Sequence, residues 1–143
     1  MNFSDNSRKY HLPVSELIDR ITILEIKLVL DPENAKDYLG ELDLIKADVK
    51  TELDLRVVTL NVKMIQTLIS LGQMNLHIWY IKDKMKLQID DPAAYAENMK
   101  LAHQLNGLRN QLKNSLLNMG MEVNASRVRS NTEMDGLEID LGI

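Results

Sequence analysis

The sequence predicts an all-α protein, an up-and-down bundle of about four long helices with a short irregular C-terminal tail. Three observations carry that expectation. Gly and Pro are scarce, six and three in 143 residues, and each Pro (13, 32 and 92) stands at the head of a long stretch without another. An Asp-Pro pair occurs twice, and Asp as N-cap with Pro at the first helical position is a helix-start signal. Apolar residues recur at helical spacing, as in Leu17, Ile21, Leu24 and Leu28.

Each element follows from its punctuation. Helix one is expected from Ser15, a good N-cap residue with Glu16 in a first turn that favours negative charge, to about Leu30. Helix two opens at Asp31-Pro32, with Glu33 adding charge to its first turn. A break is expected between Asp54 and Thr59, where a cap-like Asp meets the β-branched Val57, Val58 and Thr59. Helix three then runs from about Thr59 to Ile89, on the order of 45 Å long, with Gly72 costing it roughly 1 kcal/mol relative to Ala. Helix four opens at Asp91-Pro92 and ends near Met119, where Gly120 can supply the left-handed residue after a helix. Connections this short make antiparallel neighbours, with helices one, three and four carrying most of the core. Residues 1–120 are the helical bundle domain and residues 121–143 an acidic tail, in which five acids face only Arg127 and Arg129. The tail's last segment, Leu137, Ile139, Leu141 and Ile143, alternates with the period of a strand, and either pairs, packs along a groove or stays disordered.

Composition removes several classes of function. Without cysteine there is no disulfide framework, thiolate metal site or cysteine nucleophile, and a reducing, cytoplasmic setting is expected. A net charge of -4 opposes a nucleic-acid partner bound through phosphates. No apolar run reaches the roughly 18 residues of a membrane span, and Met1 to His11 lacks the apolar region of a signal peptide, so no membrane is expected as a partner. The residues three before His77 and His103 are Met74 and Lys100, which rules out a Glu-x-x-His di-iron bundle. His11, His77 and His103 are too scattered for a local zinc motif, and no Gly-rich phosphate loop occurs. No metal, cofactor or catalytic residue is expected.

Helix one is apolar nearly all round, which marks it as central. Glu16, Arg20 and Lys27 share a small polar sector, leaving Asp19, Thr22 and Glu25, three residues apart, as a slanting polar stripe among apolar arcs. A buried carboxylate needs a cation or several donors. On helix three, Asn75, Trp79, Lys82 and Lys86 fall in one sector with Asp83 close by; on helix four, Asn106, Arg109 and Lys113 share a face.

The opening stretch LPVSELIDRITILEIK, Leu12 to Lys27, resembles the signature of a family of small bacterial proteins known as a domain of unknown function. Asn75, Trp79, Ile81 and Asp83 in MNLHIWYIKD resemble that family's Asn-x-x-x-Trp-x-Ile-x-Asp stretch, and Asn106, Arg109, Leu112 and Lys113 its Asn-rich, basic last helix. The resemblance covers most of residues 12–119 but not helix two or the tail, and the chain departs from the pattern at Gly107 and Leu108, where more polar residues are expected. It implies no established activity, only an association with surface-polysaccharide or glycosyltransferase genes.

The function expected is that of a non-enzymatic helical interaction or accessory domain. Its polar cluster, Asp19, Thr22, Glu25, Asn75, Trp79, Asp83, Asn106, Arg109 and Lys113, either fixes the bundle or holds a small polar ligand. Within it, Glu25 is expected to be held bidentately by Arg109, with Asp19 and Asn106 in the same network. The alternative is a protein that binds, or acts on, a small anionic metabolite through Arg109 and Lys113 between helices one, three and four. More apolar surface exists than a short bundle covers, so a homodimer through helices two and three is expected.

Overall fold

The computed structural model describes residues 12–55 and 58–121. The polar start of the chain, Val57 of the β-branched trio, and the acidic tail beyond Met121 with its alternating segment lie outside the described residues. Among those described, 89% are helical and none forms a strand. Four helices follow one another: α1 (Val14–Leu30), α2 (Ala35–Asp54), α3 (Val62–Leu87) and α4 (Pro92–Leu116).

The helix starts show where local chemistry prevailed and where packing did. Asp91 caps α4 as expected, its side chain accepting from Ala94 N at 3.2 Å with Pro92 behind it. At α3, Asn61 is the cap, in extended backbone and accepting from Met64 N at 2.9 Å, so the helix begins after the β-branched run rather than within it. Ser15 is not a cap. The Pro13 carbonyl already accepts from Glu16 N and Leu17 N, which moves the helix start forward and carries Ser15, fully buried, into the first turn. Asp31 does not cap α2 with its side chain either. Pro32–Asn34 makes a 3-10 turn, and the Asp31 carboxylate instead accepts from Asn34 Nδ2 at 2.9 Å and the Tyr38 hydroxyl at 2.5 Å. α3 passes through Gly72 unbroken. After α4 one wider turn, Leu117–Met121, ends the helix with Gly120 at φ 88°, the left-handed conformation in which a side chain would be strained.

The helices associate as two hairpins. α1 packs against α2, α3 against α4, and the pairs meet through α1, which touches both α3 and α4. The core is divided accordingly. Its larger part lies between α3 and α4, around Leu71, Ile78, Leu105 and Leu116. A smaller part lies between α1 and α2, where Leu17 and Leu24 meet Leu42 and Ile45. Helix one is central as expected, but its buried leucines serve α2, and what faces α3 and α4 across the hairpin junction is partly polar.

Candidate functional site

Asp19 occupies that junction. It is 2% exposed, in the first half of α1, and α3 and α4 both supply it with donors. From α3, Asn75 Nδ2 donates to Asp19 Oδ1 at 2.8 Å and to Thr22 Oγ1 at 2.6 Å, while the Thr22 hydroxyl donates to the Asp19 carbonyl at 2.7 Å. From α4, Lys113 Nζ lies 3.9 Å from Asp19 Oδ2 and donates to Glu16 Oε1 at 2.8 Å. Arg109 Nε stands 3.6 Å from Asp19 Oδ1, an ion pair without a hydrogen bond. Two carboxylates and two cations therefore close a neutral seam between the hairpins. Such a seam specifies which faces meet: removing one member leaves its partners without a counter-charge at a largely buried junction.

Five of the nine expected residues are brought together here: Asp19, Thr22, Asn75, Arg109 and Lys113. The other four are not. Glu25 is exposed, and the carboxylate paired with Arg109 is that of Asp19. The reason is rotation: a three-residue step falls about 60° short of a full turn, so Glu25 lies about 120° from Asp19 and has left the junction. Asn106 is half-buried and makes no hydrogen bond to Asp19; Trp79 is half-buried on α3 without a hydrogen bond to the seam. Asp83 is exposed and pairs with Lys86 on its own helix at 3.4 Å. Glu16 was the residue missed. Its spacing puts it in the polar sector of helix one, yet it also stands three residues before Asp19 on the slant of the same stripe. Among the described residues, no three His, Asp or Glu side chains converge into a cation site.

Two concave surfaces flank the seam. One is a groove of about 510 Å³ between α1 and α3, almost wholly apolar, with Ile26, Val29, Ile69 and Leu76 along its walls, Gly72 in the α3 wall, and Glu25 and Tyr80 among its few polar groups. The other, about 370 Å³, lies between α3 and α4, where Lys82, His103, Asn106 and Arg109 line it together with methionines. No helix among the described residues is long and apolar enough to cross a membrane. No family model, curated protein or solved structure matches this chain, which leaves the functional reading to the geometry.

Proposed function

We propose that this chain is a non-enzymatic helical interaction domain that works as a homodimer in the cytoplasm, with the outer face of α3 and its groove against α1 as the contact. The observation that carries this reading is an exposed helix face without charge. From Met64 to Ile81, eighteen consecutive residues hold no Asp, Glu, Lys or Arg, yet α3 keeps one side open along that length. A solvated helix face normally carries charged side chains. Here Val62, Ile65, Ile69 and Leu76 recur at the spacing of a helix–helix seam, with Val62 81% and Ile69 59% exposed. Depletion of charge around an aromatic such as Tyr80 is the composition of an interface centre.

A second copy fits this face better than a foreign partner does. In a two-fold contact, residues near the axis meet their own counterparts, so a charged face would repel itself. The α3 stripe is neutral in a chain of net charge -4, and the one acid lining the groove, Glu25, belongs to the α1 flank. An antiparallel pairing with the axis beside Gly72 and Gln73 sets Ile65 opposite Tyr80 and Ile69 opposite Leu76. The stripe is about 27 Å long by helical rise and, with the α1 flank, about two helix diameters wide. That suits an interface on the order of 800 Å² per partner. The contact expected from the sequence, on helices two and three, shifts to α1 and α3, because the groove lies between these two.

Light scattering tests it. The wild type should give a dimer mass at micromolar concentration, and Ile69→Glu a monomer with unchanged circular dichroism. In a chain without cysteine, Gln73→Cys should oxidise to a cross-linked dimer while Gln111→Cys, exposed on α4, should not. A monomeric wild type, or a dimer indifferent to Ile69→Glu, overturns the reading.

A further inference from the structure

We infer that the cavity between α3 and α4 is a binding site for a small organic anion, a carboxylate or phosphate monoester carried on an apolar body. Its volume, about 370 Å³, lies at the lower end of the range for small-molecule sites. Four polar side chains line it, Lys82 from α3 with His103, Asn106 and Arg109 from α4, and no Asp or Glu does. The four charges of the seam cancel one another, which leaves Lys82 in excess on the cavity side.

Arg109 decides the sign of the ligand. Its Nε–H is buried without an acceptor, since Asp19 Oδ1 at 3.6 Å is beyond hydrogen-bond reach. A guanidinium offers five donors in a fork that matches carboxylate and phosphate oxygens, and a buried donor left without an acceptor is destabilising. Asn106, one helical turn before Arg109, adds a carboxamide that makes no hydrogen bond among the described residues. An anionic head between Lys82, Asn106 and the Arg109 guanidinium meets donors from both helices, while the Arg109 Nε–H stays turned toward Asp19 in the seam. Met85 and Met99 form apolar, adaptable walls that a bare inorganic ion would leave unused. The pair of cations expected from the sequence is therefore changed: Lys113 is held by Glu16 and Asp19 in the seam, and Lys82 takes its place beside Arg109.

Binding is read by NMR on the full chain, with benzoate and phenyl phosphate as charged probes and benzyl alcohol as the neutral one. At least one charged probe should shift the backbone resonances of Ala102, His103 and Asn106 and the Arg109 Nε–H signal, saturating with a Kd of about 1 mM or below. Whichever of the two binds more tightly identifies the preferred head group, and benzyl alcohol should bind at least about tenfold more weakly. Lys82→Ala, at an exposed position, should keep the fold and lose roughly tenfold in affinity, the effect of one charge-assisted contact. Ile69→Glu should bind as the wild type does, because the groove and the cavity share no residue, so loss of the dimer and loss of this site are separate results. The absence of saturable shifts, equal affinity for benzyl alcohol, inorganic phosphate binding as tightly as phenyl phosphate, or Lys82→Ala binding unchanged would each overturn the inference.

Discussion

Asp19 and Glu25 stand on one helix and start as the same problem, a carboxylate among apolar neighbours, yet one is 2% exposed and the other faces solvent. The first half of α1 turns Asp19 toward the junction, where Asn75 and Lys113 reach it; the second half turns Glu25 to the rim of an apolar groove that nothing among the described residues fills. Whether an acid is buried is thus decided by the opposing helices. A carboxylate enters a core only where donors have already been placed to receive it. The same helix therefore closes one face and leaves the other open, and the open one is where we place the partner.

The strongest way to break that contrast is to remove each acid in turn. Asp19→Ala strands the Asn75 amide and leaves Lys113 and Arg109 short of a counter-charge, and should cost about 3–5 kcal/mol in denaturant melts. Glu25→Ala should stay within about 0.5 kcal/mol. Comparable losses at the two positions would mean that the junction and the groove are not different environments.

A smaller effect sharpens the comparison between the hairpins. Both helices of the α3/α4 hairpin start with a side-chain cap, Asn61 and Asp91, whereas α1 and α2 have none. Asp91→Ala should cost about 1 kcal/mol by thermal or chemical unfolding. Loss of Ser15 as a cap should not be measurable as such, because Ser15 lies inside the helix.

The smallest effect belongs to a third acid, Asp31, which finds its partners at the surface. The Tyr38 hydroxyl, then the Asn34 amide, holds its carboxyl below the ordinary value of 3.8, and the same bond raises the Tyr38 phenol above 10.0. A carboxyl depressed in the folded state stabilises fully above its unfolded value and loses that contribution as pH falls through the folded one. The raised phenol stabilises below about pH 10 and loses its part as pH rises further. Asp31→Asn should accordingly remove a slight acid sensitivity below about pH 4, with little change at neutrality; an unchanged acid limb of the stability curve would contradict this.

Much of this was legible in the residues. Asp91-Pro92 and Gly120 announced the bounds of α4, because capping chemistry is local and needs no partner helix. The stripe on helix one also announced a polar problem at Asp19. Its solution was not legible, since a single helix reveals the spacing of its side chains but not how far a slanting stripe turns before it leaves the contact. Spacing alone therefore pairs Glu25 with Arg109 and passes over Glu16, on the same slant in the other direction. The groove was hidden for a related reason: the apolar circumference of α3 shows that much of it can be buried, not which side its own bundle leaves uncovered.

The account's central claim is that Asp19 is held across the hairpin junction, and a double-mutant cycle on Asp19 and Asn75 tests it most directly. Their direct contact at 2.8 Å joins α1 to α3. Unfolding free energies of Asp19→Ala, Asn75→Ala and the double variant should give a coupling of about 1–3 kcal/mol, the double change costing less than the sum of the two single ones. Additivity within about 0.5 kcal/mol would show that the two side chains do not meet, and the seam as described would be wrong.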